Sequence, residues 1–213
     1  MKRHLVNALV TVSFIAVFSV IIHTFSGHFV FALTGKGAVF PPDRPLFSDQ
    51  VESWAEQVRQ FNLEAGEKAD HVTVLLYHRI VDDRDFERWF NESEEPLSGT
   101  VVKKSAFEEQ MRYLREENYV SLTAKEFQLF MEGKLDVPQK SVLITFDDGF
   151  KDNYAEAYPI LKENGLTALN FLITSQVTKW DQRYRANAAQ YFSLSELEAS
   201  RSVYEFYSHT YNF

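Results

Sequence analysis

The sequence contains no cysteine among its 213 residues. Disulfides, thiolate nucleophiles and cysteine-based zinc sites are therefore excluded, and any metal ion must be held by His, Asp or Glu. Positive charge is also scarce, because 22 Lys and Arg residues stand against 30 Asp and Glu residues, for a net charge of -8. Proteins that bind nucleic acid need basic residues to neutralise phosphate, so we expect no nucleic-acid partner. A neutral glycan is compatible with this charge.

Several common catalytic motifs are missing as well. The sequence has no GxxxxGK[ST] phosphate loop, no GxGxxG dinucleotide motif, no GxSxG nucleophile motif and no HExxH metal motif. Each of these patterns supports a particular chemistry, so their absence argues against nucleotide-binding folds, serine hydrolases of that type and HExxH proteases.

An apolar segment, residues 5–22, follows Lys2 and Arg3. It approaches the length of about 18–20 residues needed to cross a bilayer and exceeds the usual signal-peptide core of roughly 7–15 residues. We therefore interpret residues 1–33 as a membrane anchor or a signal peptide. Both interpretations place the rest of the chain outside the membrane, either anchored facing outward or secreted to the cell envelope.

Residues 34–70 follow as a connecting region. Three Pro and two Gly fall within residues 35–45, which predicts a linker. Apolar residues at helical spacing over 48–64, with Asp49 available as a cap, predict an amphipathic helix.

A compact α/β domain is expected over residues 71–213. Apolar and β-branched runs predict strands at 72–77 (a buried one), 120–122, 142–146, 168–174 and 203–207. Helical spacing predicts helices after Ser105, with Glu108 as capping-box partner, and at 124–132, 153–164 and 194–199, whereas 82–99 is predicted to be a loop. Alternating strands and helices indicate a mainly parallel sheet.

Polar side chains follow three of these strands. Asp147 and Asp148 precede Gly149 at the end of one strand, His209 follows another, and His78 ends the first. Adjacent carboxylates repel, so one can bind a cation while the other acts as a base, and His is a common metal ligand. Taken singly, the Asp pair is better explained as an acidic turn with a cap and His209 as a structural residue, whereas His78 is equally well explained as a surface residue. Because parallel strands end at one edge of a sheet, their combination favours a shared site.

The sequence around these residues resembles the polysaccharide deacetylases, carbohydrate esterase family four with the NodB homology domain. Residues 141–150, SVLITFDDGF, with the following DNY and YPIL, are similar to the first motif of that family. Residues 76–80, 107–114 and 171–174 are similar to the branch acting on poly-N-acetylglucosamine. Residues 207–212, YSHTYN, resemble the start of the second motif. The resemblance extends over about residues 71–213.

The resemblance implies a distorted (β/α) barrel and a divalent metal ion, usually zinc. It implies that Asp147 is the catalytic base and that Asp148 and His209 are metal ligands. It also implies an N-acetylated polysaccharide as partner, with His78 and Tyr211 near the substrate. The reaction would be hydrolysis of N-acetyl groups on N-acetylglucosamine polymers of the cell envelope.

The family pattern extends beyond this sequence. The second His of the second motif would fall at position 214, after Phe213, and the later motifs with an Arg-Pro segment and an acid His are not found. The 143 residues from 71 onward are also few for a closed barrel, usually above about 200 residues. We therefore expect an incomplete barrel in a C-terminally truncated, inactive relative. The alternatives are a non-catalytic glycan-binding remnant and a barrel completed by a separately encoded piece.

Overall fold

The computed structural model describes residues 11, 13–20, 53–64, 66–92 and 99–212. The chain divides into two compact units, Met1–Gly37 and Ala38–Phe213. In the first unit, residues 13–20 are helical and exposed. Among the described residues, we find no helix with the length and apolarity that a membrane span requires. Most of the predicted anchor or signal segment 1–33, and all of the predicted linker 35–45, lie outside the described residues.

The second unit alternates strands and helices. Its strands are β1 (Thr73–Tyr77), β2 (Arg79–Val81), β3 (Val101–Lys103), β4 (Val120–Ser121), β5 (Ser141–Phe146), β6 (Ala168–Ile173) and β7 (Tyr204–Thr210). Its helices are α1 (Ser53–Glu56), α2 (Asp83–Glu92), α3 (Lys104–Glu116), α4 (Ala124–Met131), α5 (Tyr158–Asn164) and α6 (Leu194–Ser200). A π-helical turn, Asn153–Ala157, precedes α5, and a 3-10 turn, Thr174–Gln176, follows β6.

Local sequence signals explain several helix ends. Thr123 with Glu126 begins α4, and Ser193 with Glu196 begins α6, each pair forming a capping box that satisfies two backbone N–H groups. Gly165 ends α5 in the left-handed conformation that a C-terminal cap requires.

The main sheet is parallel throughout its described strands. β5 pairs with β1 along one side and with β4 and then β6 along the other, and β7 extends the sheet beyond β6. β2 and β3 form a separate parallel pair. This arrangement confirms the predicted parallel α/β class. It also brings the C-terminal ends of β1, β5, β6 and β7 to one edge, where such folds place ligands and catalytic groups.

Helices bury one face of this sheet. Phe107 and Met111 of α3 and Leu161 of α5 pack in one core cluster with Phe146 and Tyr204 of the sheet, and all five are fully or almost fully buried. On the opposite face a smaller cluster forms around four buried side chains, Leu122, Val137, Leu143 and Leu169. The two clusters fix the strand ends as a rigid platform for the site.

The prediction that β1 is buried on both faces is wrong. Val74 is 48% exposed and Leu76 is 57% exposed, whereas Tyr77 is buried against α3. Alternate residues of a strand point to opposite faces, and in β1 only the face shared with the helices is covered. An apolar run does not reveal this difference, because both of its faces carry the same residue types.

Two helix predictions and one loop prediction also need correction. Among the described residues of the predicted helix 48–64, only Ser53–Glu56 are helical, because the backbone N–H and side chain of Arg59 bind the Glu126 carboxylate instead of continuing the helix. The predicted loop 82–99 contains helix α2. Ser105 does not cap α3; it lies inside the helix, where its N–H and hydroxyl both donate to Asp83.

Candidate active site

The candidate site is built on a sharp turn after β5. The N–H of Asp147 donates to the carbonyl of Tyr77 at 2.9 Å, which extends the β1–β5 ladder to the last residue before the turn. Asp148 and Gly149 then adopt left-handed φ values of 69° and 70°. Asp tolerates this region better than most residues, since its short polar side chain can bond locally. The turn therefore leaves two carboxylates side by side at the edge of the sheet.

Gly149 is required here for space as well as for conformation. A Cβ at this position would lie 2.6 Å from Leu172 Cδ2 and 3.3 Å from Leu172 Cα. Leu172 belongs to β6, which is held between β5 and β7. The close approach of the turn to β6 thus depends on the missing side chain.

His209 reaches the same edge from β7. The β6–β7 register is irregular, because Leu172 pairs with Ser208 whereas Ile173 pairs with Thr210, so that His209 is an extra residue. A bulge of this kind bends a strand and changes the direction of its side chains. His209 Nε2 lies 3.8 Å from Asp147 Oδ2 and 3.8 Å from Asp148 Oδ1. The prediction placed His209 just after its strand, whereas the structure places it inside β7.

The three side chains form a partly open cluster. His209 is 41% exposed, while Asp147 and Asp148 are 22% and 15% exposed. The carboxylates are thus shielded at the base, and the imidazole faces solvent. The cluster is therefore open to solvent on the side of His209.

The donor types and their spacing suit a divalent cation. Two ligands about 2.1 Å from a tetrahedral zinc ion lie about 3.4 Å apart, close to the 3.8 Å that separates His209 Nε2 from each carboxylate. The described residues nevertheless contain no group of three or more His, Asp or Glu side chains already arranged to hold a metal ion. Small movements of Asp148 and His209 would satisfy two positions of such a site.

His78 and Tyr211 lie at the same edge of the sheet. His78 directly follows β1 and is half-buried. Tyr211 follows β7, is 37% exposed, and accepts a hydrogen bond at its carbonyl from the N–H of Ser175. Within the described part of the chain, no hydrogen bond joins either side chain to the carboxylates or to His209. The assignment of the two residues to the substrate therefore stays a prediction.

Two further features border the cluster and were not predicted. Arg79 Nε donates to Asp152 Oδ2 at 2.7 Å, forming an ion pair whose carboxylate is fully buried. Burial raises the pKa of Asp152 to about 6, although Arg79 acts in the opposite direction. The rings of Phe150 and Tyr191 stack with centroids 5.2 Å apart. Burial and the nearby charge of Asp148 raise the pKa of Tyr191.

The sequence offers little warning of these features. Arg79 directly follows a candidate residue, His78, but its partner is 73 positions away. Tyr191 lies in a segment, residues 177–193, that shows neither helical nor strand periodicity. Pairings of this kind depend on the tertiary fold, and local patterns do not contain them.

The fold and the cluster together define the class of this protein. It is a parallel α/β protein with two carboxylates and an imidazole gathered at the C-terminal edge of its sheet. Residues 134–213 match the family model described as polysaccharide deacetylase. Residues 134–213 therefore belong to the polysaccharide deacetylase family.

Individual relatives agree with this assignment. The poly-beta-1,6-N-acetyl-D-glucosamine N-deacetylase of Staphylococcus aureus is 32% identical over 148 residues, which is 68% of this chain and 50% of that protein. YxkH of Bacillus subtilis, named within the polysaccharide deacetylases, is 35% identical over 111 residues, or 52% of this chain and 35% of that protein. The chain therefore spans half or less of the length of these relatives.

A solved structure supports the same fold. The Streptococcus pyogenes deacetylase PplD, determined in complex with acetate, is 26% identical with a TM-score of 0.51. The match covers 66% of this chain and 57% of that one. The resemblance to this family inferred from the sequence motifs is confirmed.

Proposed function

We propose that this chain takes part in hydrolysis of N-acetyl groups on a polymer of N-acetylglucosamine. The observation that carries the proposal is the position of His209 Nε2, 3.8 Å from both Asp147 Oδ2 and Asp148 Oδ1 at the edge of the sheet. The substrate class is taken from the Staphylococcus aureus relative, whose name specifies poly-beta-1,6-N-acetyl-D-glucosamine.

Asp148 and His209 would hold a divalent metal ion, with zinc as the first choice. A bound divalent ion acts as a Lewis acid and lowers the pKa of water, which favours attack on an amide at neutral pH. One carboxylate oxygen and one imidazole nitrogen are donors that zinc accepts, and no thiolate is available in this sequence. Nickel and cobalt accept the same donors, so the metal must be identified by measurement.

Asp147 would act as the base. Water adds to the acetamide carbonyl carbon while a carboxylate oxygen of Asp147 accepts its proton. The carbon–nitrogen bond then breaks as the proton held by Asp147 passes to the nitrogen, directly or through solvent, and the products are acetate and a free amine on the sugar. The neighbouring turn keeps Asp147 in place, because its N–H is fixed to the Tyr77 carbonyl.

We expect this chain to have low activity by itself. Catalytic zinc sites normally use three protein ligands, and Asp148 with His209 supplies two. A glycan could still bind, since Tyr211 follows β7 at the same edge of the sheet and is 37% exposed. Exposed aromatic rings offer flat apolar faces to a sugar. Binding without turnover is therefore the second candidate function.

The test measures zinc binding and acetate release with the same protein preparation. Metal-free protein is titrated with Zn2+ by calorimetry and then assayed on β-1,6-linked N-acetylglucosamine oligomers. Wild type should bind zinc. Asp148→Asn and His209→Ala should lose most of that affinity, and Asp147→Asn should keep it while losing acetate release. Asp136→Asn is the matched control, because Asp136 is 61% exposed and pairs with Lys68 far from the site.

Three outcomes are informative. Zinc-dependent release that needs Asp147 supports the enzyme. Oligomer binding that needs Tyr211 but yields no acetate, even with zinc present, supports the non-catalytic alternative. Zinc affinity that is equal in wild type and His209→Ala contradicts the assigned metal site.

A further inference from the structure

A buried ion pair lies directly behind the carboxylate turn. Arg79, 13% exposed, donates to Asp152, whose side chain has no exposed surface. Asp152 Oδ1 also accepts from the N–H of Ile80 at 3.3 Å. Removing two charges from water is costly, and hydrophobic replacements of such pairs are often neutral or stabilising. Stability alone is therefore a weak reason for this pair, and its other contacts indicate what it does.

Arg79 contacts a carboxylate, a backbone segment and an aromatic ring at the same time. Its Nε binds the Asp152 carboxylate, and its Nη2 donates to the carbonyls of Ala186 and Ala188, each at 3.2 Å. The guanidinium carbon also lies 5.0 Å from the centroid of the Phe150 ring. A planar guanidinium can satisfy a carboxylate, two carbonyls and a ring face together. A lysine ammonium cannot reproduce this geometry.

The segment that Arg79 holds, residues 183–192, forms one wall of the site. The N–H of Lys151 donates to the carbonyl of Gln190 at 2.8 Å, and the N–H of Phe192 donates to the carbonyl of Gly149 at 3.2 Å. The Gln190 side chain in turn accepts from the N–H of Arg185 at 2.7 Å. Residues 183–192 are thus joined both to the turn that carries Asp147 and Asp148 and to Arg79.

On its other side the pair reaches the end of β1. The Asn153 amide, in the orientation that satisfies its neighbours, donates to the carbonyl of His78 at 2.9 Å and to Asp152 Oδ1 at 3.0 Å. In that orientation it also accepts from the buried Asn170 at 3.3 Å. The next carbonyl back, that of Tyr77, receives the N–H of Asp147. A continuous polar network therefore runs from the wall through Arg79 and Asp152 to the backbone that fixes Asp147.

We propose that Arg79 and Asp152 are positioning residues, which set the wall 183–192 and the turn at Asp147–Asp148 in one fixed relation. The proposal rests on the proposed function, because it concerns the geometry of that site. Neither residue touches the reacting atoms. They act through the turn and through the stacked pair Phe150–Tyr191, whose Phe150 ring also lies 5.0 Å from the Arg79 guanidinium carbon.

The test compares Arg79→Lys with Arg112→Lys in the full chain. Arg112 is the matched control, since it is 55% exposed and pairs with Glu116 one helical turn away at 4.0 Å. Hydrogen–deuterium exchange is followed at the amides of Lys151 and Phe192. Arg79→Lys should accelerate both by tenfold or more, and Arg112→Lys should leave them unchanged. Asp152→Asn replaces Arg79→Lys if circular dichroism shows that the latter is unfolded.

A Co2+ titration monitored by visible absorption links the network to the site. Partners that orient metal ligands typically contribute about ten- to a hundredfold in affinity or rate, so Co2+ affinity should fall by that factor in Arg79→Lys. In acetate release, kcat should fall by a similar factor while KM changes less than about threefold. Faster exchange with unaltered Co2+ affinity would show a merely structural role and overturn the proposal, as would unaltered exchange.

The two proposals fail differently. A wild-type chain that neither binds Co2+ nor releases acetate contradicts the proposed function. The exchange rates still decide whether Arg79 and Asp152 fix the turn, and equal rates in wild type and Arg79→Lys overturn that inference.

Discussion

Replacement of Gly149 by Ala tests the packing of the site turn. The change has two costs. An Ala with φ near 70° costs about 1–2 kcal/mol, because its Cβ crowds the following carbonyl. Its Cβ would also lie 2.6 Å from Leu172 Cδ2 and 3.3 Å from Leu172 Cα, and overpacking of a filled core costs about 1–3 kcal/mol. The sum, about 2–5 kcal/mol, is large against a total stability of about 5–15 kcal/mol.

Gly165→Ala separates the two costs. Gly165 has nearly the same φ, 67°, but a Cβ there meets no atom within 4 Å. Gly165→Ala should therefore lower the free energy of unfolding by about 1–2 kcal/mol, from the backbone conformation alone. Urea unfolding followed by far-UV circular dichroism gives both values under the same conditions. If Gly149→Ala costs no more than Gly165→Ala, then the close approach between the turn and β6 does not exist as described.

Two buried carboxylates should give opposite pH dependences in urea unfolding. The pKa of Asp152 is raised from 3.8 to about 6, so this carboxyl binds a proton more readily in the folded protein. Its contribution to the free energy of unfolding therefore falls as pH rises through 6, by up to about 3 kcal/mol. Asp152→Asn should lack this pH-dependent part of the free energy of unfolding. Identical pH profiles of the variant and the wild type would contradict the assignment to Asp152. Burial opposes ionisation of Glu126, yet hydrogen bonds from Arg59 and Thr123 lower its pKa below 4.5, so its contribution is lost as pH falls. Glu126→Gln should therefore cost about 2 kcal/mol at pH 7 and progressively less as pH falls; a cost that does not change with pH would refute this.

The sequence was most informative where local patterns and tertiary structure agree. The run that became β5 is buried at every position, and its apolar residues are followed directly by the polar pair Asp147–Asp148 and a glycine. Gly165 and the capping residue Thr123 set helix ends through interactions with neighbours along the chain. Such features need no knowledge of distant residues.

Features that depend on distant partners could not be predicted. The predicted helix does not continue beyond Glu56 because Arg59 binds Glu126, 67 positions away. The exposure of Val74 and Leu76 reflects which strands lie beside β1 and which face the helices cover. For the candidate site, strand ends and motif resemblance predicted Asp147, Asp148 and His209. Their mutual distances, and the network behind them, required the fold.

The bulge in β7 makes the cluster sensitive to the number of residues in the strand. His209 is the one residue of β7 without a partner of its own, between Ser208 opposite Leu172 and Thr210 opposite Ile173. Loss of a single residue next to His209 would remove this register shift, so that β6 and β7 would pair without interruption. The imidazole would then follow the regular alternation of the strand and not the bend that directs it toward the carboxylates. The site is therefore encoded partly in chain length: a deletion that leaves every aspartate and histidine in place can still dismantle it.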